Sequence, residues 1–89
     1  MTNGAQVQLL DNASATGSWV DWPGGKALAT VEGTTPGVQL QVQSPNGTAL
    51  DVGSAFSAAG TLEVNLPPGL VRANVTGGSA LYAYLVAIP

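Results

Sequence analysis

Apolar and polar residues alternate along most of this chain. In residues 37–43, Val38, Leu40 and Val42 fall on one side while Gln39, Gln41 and Gln43 fall on the other. A period of two is that of an extended chain, so the segment predicts a half-buried strand with a polar outer face. Residues 61–66 repeat the design, with Leu62, Val64 and Leu66 inward. Residues 70–76 place Val71, Ala73 and Val75 inward and Arg72, Asn74 and Thr76 outward. In residues 26–32, Ala27, Ala29 and Val31 share one face, which leaves Leu28 among the polar residues of the other. Further short strands are expected at residues 6–10, 18–22 and 48–52.

The punctuation between these segments is turn chemistry. Ser44-Pro45-Asn46-Gly47 suits a type I turn, and Pro67-Pro68-Gly69-Leu70 a type II turn with glycine at the position that needs φ > 0. Trp22-Pro23-Gly24-Gly25 and Thr76-Gly77-Gly78-Ser79 supply two more tight reversals. Turns this close leave no room for crossover helices, so the pairing is expected to be antiparallel. No segment carries a helical stripe, and the Ala-rich residues 54–60 read as a loop. The expected fold is all-β: a small antiparallel β-sandwich, jelly-roll-like, of seven or eight short strands. It divides into an N-terminal arm at 1–16 and a β-sandwich domain at 17–89.

The last strand breaks the alternation. Leu81, Ala83, Leu85 and Ala87 form one side; Tyr82, Tyr84, Val86 and Ile88 form the other, and both are apolar apart from two phenolic hydroxyls. Either the strand is enclosed on both faces or the tyrosine side lies against another protein, since an uncovered strand of this kind invites aggregation. Trp19 and Trp22 also invite a binding role. Three residues apart in an extended chain, they point to opposite faces, so at most one can be exposed unless the chain bends. The candidate contact residues are therefore Trp19, Trp22, Tyr82, Tyr84, Val86 and Ile88.

Composition narrows the chemistry. The chain has 89 residues, only 8% of them charged, a formal net charge of −3, and neither cysteine nor histidine. Disulfides, thiolate or imidazole metal sites and histidine-based catalysis are excluded. Two basic residues, Lys26 and Arg72, cannot neutralise a phosphate backbone, so no nucleic-acid partner is expected. The five carboxylates, Asp11, Asp21, Glu32, Asp51 and Glu63, are scattered singly through turns and polar strand faces. They suggest neither an acid/base pair nor a calcium loop. The serines lack a base, and Gly24-Gly25-Lys26 lacks the spacing of a phosphate loop. No enzyme, cofactor or metal is expected. No run of 18 apolar residues occurs, and Met1-Thr2-Asn3-Gly4 is not the start of a secretory signal, so synthesis in a cytoplasm and no membrane partner are expected. A domain this small without disulfides or metal has a thin stability margin, for which oligomerisation is the common remedy.

From Gly24 to Val86 the succession of motifs is more particular. A Gly24-Gly25 turn opens a strand, and Val38 to Gln43 runs into Ser44-Pro45-Asn46-Gly47. Asp51-Val52-Gly53 follows, then Leu66-Pro67-Pro68-Gly69-Leu70-Val71-Arg72, and finally Thr76-Gly77-Gly78 before Leu81 to Val86. This resembles the small β-sandwich head decoration proteins of tailed bacteriophages, the capsid cement or head fibre proteins. The resemblance implies a structural virion protein on the capsid exterior, made in the bacterial host cytoplasm and partnered by the major capsid protein and by copies of itself, as a homotrimer. It would bind the outer surface of the phage capsid and stabilise it. The N-terminal arm would lie along a neighbouring subunit, so that removing residues 1–16 weakens attachment and leaves the sandwich folded. Two alternatives stand beside this reading: a carbohydrate- or host-surface-binding module, and a tail or baseplate structural component.

Overall fold

The computed structural model describes residues 6–88 and, among them, is all-β with no helix. Its six strands are β1 (Gln6–Ala13), β2 (Val20–Trp22), β3 (Gly25–Gln43), β4 (Ala49–Phe56), β5 (Gly60–Leu66) and β6 (Gly69–Ala87). Every pairing is antiparallel. The expected number of seven or eight becomes six because two pairs of predicted strands run together. Residues 26–32 and 37–43 are the two arms of one 19-residue strand, β3, and residues 70–76 and the apolar last strand, which ends at Ala87, become the two arms of β6, also 19 residues long.

The joints between the arms explain the fusion. β3 and β6 pair along their whole length, but their register slips three times between Glu32 and Val38. Gly33 (φ 139°) and Gly78 (φ 101°) take backbone angles that favour glycine, and Thr35 (φ 44°) and Ala80 (φ 51°) adopt the left-handed conformation beside them. Thr76-Gly77-Gly78-Ser79, read as a reversal, is thus a bend inside a continuous strand. Glycine relaxes the backbone equally for both uses, and here the partner strand bends in step. By contrast, Ser44-Pro45-Asn46-Gly47 closes the β3–β4 hairpin as expected: the Gly47 N–H donates to the Ser44 carbonyl (2.8 Å) and Gly47 has φ 86°. Trp22-Pro23-Gly24-Gly25 and Pro67-Pro68-Gly69-Leu70 join strands that do not pair with each other, and Gly69 sits at φ 148° rather than in the helical left-handed region.

Counting each arm separately gives two four-arm halves. In the first half the order is β1, the second arm of β6, the first arm of β3, then β5. In the other it is β2, the first arm of β6, the second arm of β3, then β4. Along the chain the eight arms pair first with last, second with seventh, third with sixth and fourth with fifth. Inward residues from both halves, among them Ala29, Val31, Leu81 and Leu85 from one and Val38, Leu40, Val71 and Ala73 from the other, belong to a single buried cluster. The alternation read from the sequence therefore assigns the inward face correctly in all four of its strongest segments.

The N-terminal segment differs from a free arm. Residues 6–13 are β1, in register with the last strand from Gln6↔Val86 to Ala13↔Leu81, and Leu9 and Leu10 are buried in the core. The reason is the apolar content of Val7, Leu9 and Leu10, whose two adjacent leucines are both accommodated inward by a bulge between Gln8 and Leu10. Residues 14–18 then run beside β6. The Gly17 N–H donates to the Ala73 carbonyl (3.1 Å), and Thr16 Oγ1 accepts the Val75 N–H (3.0 Å) while donating to Asn74 Oδ1 (3.1 Å). Deleting residues 1–16 removes a core strand along with any attachment function. Residues 1–5 of that arm lie outside the described residues.

Candidate functional site

The two halves present opposite kinds of outer face. On the second half, side chains at matched register positions form a polar chain across three strands. Arg72 Nε donates to Gln41 Oε1 (2.9 Å), and Gln41 Nε2 donates to Asp51 Oδ1 (3.0 Å). These residues are direct cross-strand neighbours, Gln41↔Arg72 and Gln41↔Asp51, which is why their short reaches suffice. The Arg72 guanidinium also lies over the ring of Trp19, 4.4 Å from its centroid, a cation–π contact. One row away, Gln39 Nε2 donates to the carbonyls of Val52 (3.0 Å) and Gly53 (3.3 Å), tying down the stretch where β4 bulges away from β3. This face is organised by bonds among its own residues. Replacing Gln41 by alanine is expected to cost about 1 kcal/mol in urea-unfolding experiments, because both of its partners keep access to water.

The outer face of the first half is apolar at its centre. Its two middle strands contribute Leu28 from β3 and Tyr82, Tyr84, Val86 and Ile88 from the last strand and the residue that follows it. Leu28 and Val86 are direct cross-strand partners, and they are 37% and 38% exposed. The tyrosines and Ile88 are half-buried. Thr30 stands opposite Tyr84, and Glu32 opposite Tyr82. The outer strands of the same face carry Gln6 and Gln8 on β1 and Thr61, Glu63 and Asn65 on β5, all exposed. No described residue covers the apolar centre.

The six candidate contact residues are thus divided. Tyr82, Tyr84, Val86 and Ile88 share the first face, as their spacing requires. Trp19 lies on the other half, under Arg72. Trp22 is a core residue, 2% exposed, which leaves it no surface to offer a partner. The odd spacing of the two tryptophans separates them as expected, and the more deeply placed one is the one that pairs opposite Gly69 in β2. Leu28 is the further apolar residue of this face, missed by grouping only aromatic and terminal positions. Its signal was its place among polar neighbours, and its apolar surroundings come from the adjacent strand.

A third feature is a cleft of about 210 Å³ at one end of the second half, between the β3–β4 turn and the Pro67-Pro68 link. It is lined chiefly by Val42, Pro45, Leu50, Pro67, Pro68 and Leu70. Leu50 is 48% exposed beside it. No acid, base or metal-ligating group converges there. All five carboxylates are exposed, and no group of three histidine, cysteine, aspartate or glutamate residues lies together among the described residues. Among those residues, no helix is long and apolar enough to cross a membrane.

Compared with known protein families, curated proteins and solved structures, the chain matches none.

Proposed function

We propose that this protein is a structural, non-enzymatic component of a phage virion that binds the capsid exterior and stabilises the shell. The observation that carries the reading is the outer face of the first half. A self-sufficient antiparallel module keeps its solvent face polar, as the second half does, whereas Leu28, Tyr82, Tyr84, Val86 and Ile88 put an apolar centre on the surface. Tyrosines with an apolar body and a polar tip suit a protein contact. The nested pairing of the eight arms supports a second element of the reading: the two halves are the two layers of a small jelly-roll sandwich, an architecture found in viral capsid and lectin domains. The partners are the major capsid protein and other copies of this chain, with the cleft end beside Leu50 left as a second apolar spot for the shell.

Such a protein acts by mass action. It binds the closed lattice and not its separated subunits, so its binding energy adds to the stability of the assembled form. Many identical sites engaged together make a modest contact durable. Purified protein mixed with phage heads that lack it is expected to co-sediment at a fixed ratio to the capsid protein and to raise the temperature at which the heads release DNA. Failure to sediment with heads at saturating concentration would overturn the reading.

A glycan-binding reading draws on Trp19 beside Arg72, Gln41 and Asp51. It is the weaker of the two, because Arg72 covers one face of the indole and Gln41 is engaged on both of its atoms. Saturable quenching of Trp19 emission by an oligosaccharide would restore it.

A further inference from the structure

The apolar face of the first half carries its own complement. Ala29, Leu85, Leu62 and Val7 lie in one row straight across the four arms: Ala29 pairs with both Leu85 and Leu62, and Leu85 with Val7. All four point inward, so they mark the midline of the outer face without occupying it. On one side of that midline lie Leu28, Val86 and Lys26; on the other lie Thr30, Tyr84 and Glu32. Among the described residues the only cation of the face, Lys26, is at one end of the β3 arm and the Glu32 carboxylate is at the opposite end, about 20 Å away at roughly 3.3 Å per residue.

We propose that the occupant of this face is a second copy of the chain, packed face to face about a two-fold axis that lies along the midline row. This rests on the functional reading above only in taking the face to be a protein contact; it names the partner and the symmetry. Turning one copy about such an axis reverses the strand direction and keeps the order of the strands. Lys26 then lies across from Glu32 of the other copy, and Glu32 across from its Lys26. Leu28 meets Thr30, and Val86 meets Tyr84, each twice. Glu63 meets Thr61, so no like charges are opposed among the described residues. A contact packing at about 30°, usual for stacked sheets, displaces the ends of the arms by about 5 Å, within reach of the four-carbon lysine stem.

The distribution of polarity agrees. Apolar side chains on the two middle strands and glutamine, threonine, asparagine and glutamate on the outer two give the dry centre and wet rim of a protein interface. Four strands about 4.8 Å apart and about 20 Å long offer roughly 400 Å² in projection per copy. That lies at the low end for specific association, so the dimer is expected to be reversible and dependent on concentration rather than obligate. A two-fold contact also departs from the threefold count implied by the resemblance, and the two are separable by mass.

The test uses the purified full chain without capsid. Sedimentation equilibrium is expected to show a species of twice 8.9 kDa as concentration rises through the micromolar range. Val86→Glu is expected to weaken the dimer at least tenfold while circular dichroism stays unchanged, because this residue is already exposed. Lys26→Glu and Glu32→Lys should each weaken it about tenfold, by setting two like-charge pairs across the contact. Mixing those two variants should restore a dimer near wild-type strength, since each then opposes the other's charge. A wild-type chain that stays monomeric at several hundred micromolar, a trimer, or a mixture no more associated than its parts would each overturn the proposal. A monomer that still sediments with phage heads would remove the dimer and leave the capsid reading standing; a dimer indifferent to heads would do the reverse.

Discussion

Replacing Trp22 by alanine is expected to remove about 3–5 kcal/mol of folding stability, a loss comparable to the whole margin of many small domains. Trp22 is the largest of the fully buried side chains and sits where the three-residue β2 meets the first arm of β6, opposite Gly69. The indole belongs to the same buried cluster as Leu9, Leu10, Leu40 and Val71, so its removal leaves a hole in the core. Its Nε1–H is buried and has no partner. That makes phenylalanine an informative contrast. Trp22→Phe loses part of the buried area but also removes an unsatisfied donor, whose desolvation costs about 1–3 kcal/mol, so its net effect is expected to be within about 1.5 kcal/mol of zero. Urea unfolding followed by far-ultraviolet circular dichroism measures both variants. An alanine variant as stable as wild type would mean that β2 is not part of the cooperative fold.

Gly78→Ala is the second severe change, expected to cost about 3 kcal/mol or more by the same measurement. At φ 101° the backbone is in a region that side chains rarely enter. A methyl group there would also lie 2.8 Å from the Thr35 carbonyl oxygen, 2.9 Å from that of Thr34 and 3.0 Å from the Pro36 Cα. These are backbone atoms of the partner strand at its own bend, so relief requires moving the joint between the two halves. Gly47 is the control. It also has a positive φ, 86°, but a methyl group there meets nothing within 4 Å, so only the conformational penalty of about 1 kcal/mol applies. Equal losses at the two sites would show that crowding at the joint contributes nothing.

These two positions mark the limits of what alternation and turn residues disclose. The inward sets Val38/Leu40, Val64/Leu66, Val71/Ala73 and Ala27/Ala29/Val31 are buried as their period requires, because the period of a strand is a local property. The Ser44–Gly47 turn was legible for the same reason. Continuity through Gly33–Gly37 and Thr76–Ala80 was not, since glycine marks both a reversal and a bend, and the choice depends on a partner strand about 40 residues away in sequence. Likewise the arm at residues 1–16 contains a strand whose partner is the last one in the chain, a pairing that no local signal announces. Of the candidate site, the Tyr82/Tyr84/Val86/Ile88 face was legible from the missing polar alternation. The charge symmetry of Lys26 and Glu32 about Ala29 emerged only when the register aligned the four arms.

The nested pairing also constrains how the protein can be made. In synthesis β1 emerges before every other described strand, yet the edge that it must join is residues 81–86. Among the described strands only the β3–β4 hairpin has its partner close behind it; β1 and β2 wait with Leu9, Leu10 and Trp22 unsheltered until residues 69–86 are out. The decisive step of assembly therefore waits for the last strand, and chains stalled or clipped before it would lose the strand shared by β1 and β3, becoming substrates for chaperones or proteases instead of shortened but serviceable modules.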